Sequence, residues 1–404
     1  MGQEPQPSDA GSPGSGLQSP EAEPRVPNLA LSLPNGWENS APDYRLPPPE
    51  WKQELEHLGA EGGTVLLLGG SDVGKTTFCR ALVKQGNDAG LKTALVDADL
   101  GQSLVGLPGT VTLAILAPAA THDPGRPAAD PLATTARTLF FVGAVSPREC
   151  LITHLVATVR ACQAAWEAGA KLTVVDTTGY VSAPEGAMLK RAKIDTIRPD
   201  VIVGLAHKNE LQSILGAYVG STFPRVAMLP PSPAASARKK EVRRRTRAER
   251  FRRYFGDAQR CHLSLAQRVL LADFPLNWQK HRPALAELCS KGLGYPVPFV
   301  TLCGGTPLVV TEADCTPTEV EFLTATLRGK PRTYASEQFS NCLVGIVDDE
   351  DEPISVGLLL SVDWQGGSVE LLVPPDIDLD RARLLKLGRI RIDPDGSELS
   401  PAPW

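Results

Sequence analysis

The stretch Gly69-Gly70-Ser71-Asp72-Val73-Gly74-Lys75-Thr76 constrains this chain more than any other. It is a full G-x-x-x-x-G-K-[ST] loop, and its neighbours match it. Thr64 to Leu68 has the apolar run of a short buried strand, and Thr77 to Lys84 reads as the start of a helix. Strand, glycine loop and helix in that order set a row of backbone N–H groups around a phosphate. Glycines let the chain wrap an anion, and the helix N-terminus adds about half a positive charge at the same point. Lys75 has the reach for the terminal phosphates, and the Thr76 hydroxyl is suited to Mg²⁺. Residues Gly69 to Thr77 are therefore expected to hold a nucleoside triphosphate. The loop does not identify the reaction.

Strands and helices alternate after it. Lys92 to Asp97 reads as a strand running into Asp97-Ala98-Asp99-Leu100-Gly101-Gln102, and Leu172 to Asp176 as another, running into Thr177-Thr178-Gly179-Tyr180. Acids at the carboxyl ends of buried strands lie where α/β sheets bind ligands. Asp97 and Asp99 are thus expected at the phosphates, one near Mg²⁺ and one taking a proton from an attacking hydroxyl. Leu139 to Gly143 and Val201 to Ala206 read as strands, and 149–168 and 185–197 as helices. The first helix is expected to break at Gly86-Asn87-Asp88, and Trp51, Leu55 and Leu58 to share one face of a short helix before the first strand. The pattern predicts an α/β fold with a mainly parallel sheet covered by helices. From about 264, short apolar runs separated by Gly, Pro and Asp predict a smaller, mostly antiparallel β domain. His262 and His281 read as structural. The expected organisation is a disordered polar tail over 1–45, a phosphate-loop domain over 46–262 and a β-rich domain over 263–404.

Charge is unevenly spread. Residues 238–253 carry ten Lys/Arg and two Glu, a local +8, while the rest of the chain sums to −13. The stretch lacks Pro and Gly, and Arg243, Arg247 and Arg250 fall on one helical face, with Phe251, Tyr254 and Phe255 as anchors. It reads either as a solvated face or generic nucleic-acid patch, or as a lid (238–255) laying arginines on transferred phosphate and on a polynucleotide backbone. Eight cysteines without a C-x-x-C pair argue against a zinc site and a disulfide framework. With no long apolar run and no signal pattern, a cytoplasmic protein with no membrane association is expected.

These pieces together resemble the polynucleotide 5′-hydroxyl kinases, RNA kinases whose eukaryotic members work in messenger-RNA cleavage and polyadenylation, tRNA splicing and ribosomal-RNA processing. Four motifs carry the resemblance: the phosphate loop, D-x-D-x-G-Q at 97–102, the clasp T-x-G-W at Thr177-Thr178-Gly179-Tyr180, and the lid R-x-x-x-R at Arg243 and Arg247. Tyr180 stands where tryptophan is usual. The resemblance is good over 47–260 and weaker beyond. The tail is too polar for the β domain that larger eukaryotic members carry, so a prokaryotic-style member is expected. The family implies ATP and Mg²⁺, with Lys75 and Thr76 on the triphosphate and metal. Asp99 would activate the 5′-hydroxyl beside the metal, and Gln102, Thr177, Gly179 and Tyr180 would position the site. Arg243 and Arg247 would stabilise the phosphoryl group in flight. The implied acceptor is an RNA 5′-hydroxyl end, with DNA left open and protein partners unknown. The rivals are an ATPase or GTPase switch, an ATP-binding RNA scaffold and a small-molecule kinase.

Overall fold

The computed structural model describes residues 47–116, 137–218 and 220–404. The expected tail and the surface loop expected over 117–136 lie outside the described residues. The first domain contains α1 (Lys52–Glu61), β1 (Gly63–Gly69), α2 (Lys75–Asp88), β2 (Thr93–Ala98), β3 (Thr110–Leu116), β4 (Arg137–Phe141), α3 (Leu151–Glu167), β5 (Leu172–Thr177), α4 (Pro184–Ile197), β6 (Val201–Leu205), the short α5 (Gln212–Leu215), β7 (Arg225–Leu229) and α6 (Lys240–Tyr254). Its sheet runs β4-β3-β2-β5-β1-β6-β7. The five strands from β2 to β7 are parallel, and β3 and β4 extend them antiparallel.

Both faces are covered because alternate residues point to opposite sides. Val65 and Leu67 of β1 join Trp51, Leu55 and Leu58 and the α2 residues Phe78 and Leu82. Leu66 and Leu68 join the layer made by α3 and α4. The carboxyl ends of β1, β5 and β2 therefore lie side by side at one edge, and each carries a motif. One expectation fails here: α2 continues through Gly86 to Asp88. Gly86 does not break the helix. A Cβ there would lie 2.4 Å from Leu172 Cδ2, so the glycine permits close helix-to-strand packing.

The second domain contains β8 (Gln259–Ser264), β9 (Val269–Leu271), β10 (Pro275–Asn277), α7 (Pro283–Leu293), β11 (Phe299–Cys303), β12 (Thr306–Thr311), α8 (Pro317–Leu327), β13 (Arg332–Ala335), β14 (Cys342–Val347), β15 (Pro353–Asp363), β16 (Ser368–Val373) and β17 (Leu384–Arg391). Its main sheet runs β10-β9-β17-β14-β15-β16-β8. It is antiparallel except where β17 meets β9. β8 pairs with β16, so the boundary drawn at 262 falls within a strand of this sheet. The helices α7 and α8 cover a separate three-stranded sheet, β11-β12-β13, and were not expected. Among the described residues no helix is long and apolar enough to cross a membrane.

Candidate active site

Lys75 opens α2 and is buried; its Nζ donates to the carbonyls of Gly69 at 3.1 Å and Gly70 at 2.6 Å. Gly74, just before it, has φ 103°, a conformation that favours glycine. The Thr76 hydroxyl donates to Asp176 Oδ2 at 3.2 Å, across to the end of β5. Thr77 lies half-buried in the same turn, and Ser71 is exposed. The Val73 carbonyl accepts from the Ser232 N–H at 3.0 Å, tying the segment before α6 to the loop.

Three carboxylates stand at strand ends, each in a different setting. Asp97 is fully buried. Its Oδ2 accepts from Ser103 Oγ at 2.6 Å, from the Val105 N–H at 2.9 Å and from the Leu104 N–H. It organises the turn after β2 rather than facing the phosphates, contrary to the expectation for both acids of the motif. Burial pushes its carboxyl above the usual range. Asp99 is half-buried, and its Oδ1 accepts from the N–H groups of Gly101 at 3.1 Å and Gln102 at 3.0 Å, which fixes the carboxylate plane. The Gln102 amide turns back to the Gly101 carbonyl at 2.8 Å. Asp176 is buried, and burial raises its carboxyl to about 7; Lys75 and the Thr76 hydroxyl oppose that, while Asp97 and Asp99 add to it. Its Oδ1 is buried without a partner. Sequence reasoning noted this acid at the ligand edge but did not select it.

The clasp sits against the phosphate loop. A Cβ on Gly179 would lie 2.4 Å from both N and Oγ of Ser71, so only glycine permits this approach. The two threonines divide the work. Thr177 donates to the Leu67 carbonyl at 2.6 Å and braces β5 on β1. Thr178 is held from behind by Lys190, whose Nζ donates to its carbonyl at 2.8 Å and its hydroxyl at 3.0 Å. Tyr180 is half-buried, with its hydroxyl 3.4 Å from Glu185 Oε2. Lys193, also on α4, lies 2.9 Å from His154 Nε2, and that nitrogen lies 2.9 Å from the Ala98 carbonyl. Burial lowers Lys193 to about 7 and moves Lys190 and His154 well below their ordinary values. In sequence these lysines look like an ordinary solvated helix face.

The arginine stretch is helical, as its composition predicts, and reaches the site at three levels. Arg243 pairs with Asp72 Oδ2 at 2.5 Å, and Asp72 Oδ2 also accepts from the Arg238 N–H at 3.0 Å. Asp72 has φ 58°, a left-handed conformation that Asp tolerates better than most side chains. Arg247 pairs with both oxygens of Glu398, near the C-terminus. Arg250 donates to the Ser103 carbonyl and, at 3.4 Å, to the Gly106 carbonyl, behind the acidic turn. Phe251, Tyr254 and Phe255 are buried among Leu107 and Leu139 of the first domain and Leu343, Val356, Leu358 and Ile390 of the second.

The donors at this edge are oxygens, as a hard divalent cation requires. Among the described residues no group of three or more His, Cys, Asp or Glu side chains forms a metal cage. The unpartnered Asp176 Oδ1 beside Thr76, with Asp99 nearby, fits the Mg²⁺ habit of taking one or two protein oxygens plus substrate phosphates.

The family model for the mRNA cleavage and polyadenylation factor CLP1 P-loop matches residues 69–257. A polyribonucleotide 5′-hydroxyl-kinase of Methanocaldococcus jannaschii is 30% identical over 339 residues, which cover 83% of this chain and 88% of that protein. The chain belongs to the polyribonucleotide 5′-hydroxyl-kinase family. Another member, from Thermococcus kodakarensis, is 30% identical over 341 residues, covering 83% of this chain and 90% of that kinase. Clp1 of Xenopus tropicalis, also named a polyribonucleotide 5′-hydroxyl-kinase, is 30% identical over 213 residues, 51% of this chain and 47% of its own length. Clp1p in a solved Clp1p–Pcf11p complex shares the kinase-family fold, with a TM-score of 0.54 at 13% identity over 84% of this chain and 77% of that one.

Proposed function

We propose that this chain is an ATP- and Mg²⁺-dependent kinase that transfers the γ-phosphate to the 5′-hydroxyl of RNA, in RNA processing or repair. The observation that carries the reading is the meeting of four motifs at one sheet edge. Thr76 bonds Asp176, Gly179 rests on Ser71, Asp99 closes the turn after β2, and Arg243 reaches Asp72. The names of the relatives support the acceptor class.

In this reading the loop N–H groups and Lys75 bind the triphosphate. Mg²⁺, held by Thr76 with Asp99 or Asp176, neutralises charge on the phosphate oxygens when bound. Asp99 accepts the proton as the 5′-oxygen bonds to the γ-phosphorus, and the bond to the β-phosphate oxygen breaks to release ADP. Gln102 holds the turn that orients Asp99. Arg243 and Arg247 offset charge on the phosphoryl group in flight. Thr177 and Gly179 place the clasp, and Tyr180 stacks on the terminal base, worth ~1–3 kcal/mol for such contacts. Little covalent work is required, so alignment and charge stabilisation carry the rate. The eight free thiols accord with a cytoplasmic setting.

The test is transfer of labelled γ-phosphate to matched oligonucleotides bearing a 5′-hydroxyl or a 5′-phosphate, as RNA and as DNA. Label confined to 5′-hydroxyl ends, with RNA preferred, is the expected result. ATP hydrolysis with no labelled oligonucleotide would replace this reading with a nucleotide switch.

A further inference from the structure

Two fully buried lysines on α4 have no role in the chemistry above. Gly186, Lys190 and Lys193 stand at i, i+4 and i+7, so they share one face of the helix. Each meets a different wall of the site. A Cβ on Gly186 would lie 2.5 Å from the Tyr180 carbonyl oxygen, so the helix backbone abuts the clasp. Lys190 bonds both the carbonyl and the hydroxyl of Thr178. Lys193 meets His154, which reaches the Ala98 carbonyl immediately before Asp99.

A buried ammonium is costly unless its donors are satisfied. Lys190 gives its bonds to uncharged oxygens of one residue rather than to a carboxylate. Such an arrangement adds little to stability, yet it holds Thr178 at two points, its main-chain carbonyl and its side-chain hydroxyl. The chain then runs directly into Gly179, whose approach to Ser71 is too close for any added Cβ.

We propose that Lys190 is a positioning residue for the acceptor: it pins Thr178 so that Gly179 stays against the phosphate loop and Tyr180 faces the 5′ nucleotide. Lys190 touches neither phosphate nor acceptor in this role, and the inference rests on the kinase reading above. A methionine at 190 would fill the same buried space without donors. The clasp would then keep its packing and lose its registration.

The test compares Lys190→Met, Thr178→Val and the double variant with wild type, reading kcat and KM for end-labelling of a 5′-hydroxyl RNA, nucleotide affinity by titration, and Tm. For Lys190→Met, kcat should fall on the order of 10²-fold, the cost of a misplaced reactant. Nucleotide affinity should hold, and Tm should change little, because the cost of leaving the Thr178 oxygens without a donor is offset by no longer burying an ammonium. Thr178→Val keeps the carbonyl partner and should lose less. The double variant should be no slower than Lys190→Met alone, the signature of one shared interaction. Wild-type kcat in Lys190→Met overturns the inference, as does a loss of activity that tracks a falling Tm and weaker nucleotide binding. If Lys190→Met does not fold, an unimpaired Thr178→Val overturns it. A wild-type enzyme that labels no 5′-hydroxyl end overturns the kinase reading and this inference with it.

Discussion

Helices α4 and α6 both bring cations to the carboxyl edge of the sheet, and they do so in opposite ways. The charges of α6 that reach this edge are partly exposed and meet carboxylates from other elements, Arg243 with Asp72 and Arg247 with Glu398. The lysines of α4 are enclosed, and their partners are a threonine and a histidine. In the proposed mechanism an incoming phosphate takes the place of these carboxylates on the partly exposed arginines. The second set holds main chain in place. In the proposed mechanism one set of charges acts on substrate and the other shapes the site. Within α6 the two ends differ in the same sense: Arg243 near its N-terminal end reaches Asp72 of the phosphate loop, and the aromatic residues at its C-terminal end are buried between the two domains.

Among the variants that separate the two helices, Arg243→Ala should show the largest effect, a fall in kcat on the order of 10²- to 10³-fold for loss of a charge aimed at the transition state. Its Tm should stay at the wild-type value. A matching fall in Tm would make Arg243 structural and erase the contrast with α4. At the other end of the helix, Phe251→Ala should lose ~3–5 kcal/mol of stability from a fully buried aromatic site. Chemical unfolding monitored at the domain interface checks this, and a loss limited to kcat would mean the seat is not what holds the lid.

The salt dependence of oligonucleotide binding separates the two helices further. For single strands each lost phosphate contact should flatten the log–log slope by ~0.7. Arg243→Ala or Arg247→Ala should do so, and Lys190→Met should leave the slope unchanged. A flattened slope for Lys190→Met would put the buried lysine on the nucleic acid.

Stability against pH gives a further contrast. Burial lowers Lys193 from 10.5 to about 7, so the unfolded chain binds its proton over that interval and the folded chain does not. Stability therefore rises with pH between those values, and the cost of charging Lys193 is fully present below them. Lys193→Met should raise Tm most below pH 7 and converge with wild type as pH approaches 10.5. A gap independent of pH would show that Lys193 carries its charge inside the fold.

How much could be read in advance follows the same division. The phosphate loop, Asp99 and the α6 arginines were legible because local spacing encodes them. Asp97 and Asp99 look equivalent in sequence, and only the turn at 103–105, whose donors capture Asp97, tells them apart. Lys190 and Lys193 were invisible because a lysine on a helix is ordinarily solvated, and their burial depends on β2 and β5 meeting α3 and α4 in space. Glu398 lies far along the chain from Arg247, and no local pattern links them. The missed helices α7 and α8 did carry local signals. Pro283 and Pro317 open them, and Thr316 with Glu319 forms a capping box. Short apolar runs on either side masked them.

The central claim is that the carboxylate of Asp99 takes the proton from an RNA 5′-hydroxyl. The most direct measurement is end-labelling of a 5′-hydroxyl RNA by Asp99→Asn beside wild type, with nucleotide affinity titrated on the same preparations. The account predicts nucleotide binding close to wild type and transfer reduced on the order of 10²- to 10⁴-fold, the range for loss of a general base. An Asp99→Asn enzyme that binds nucleotide and labels RNA at the wild-type rate would contradict it.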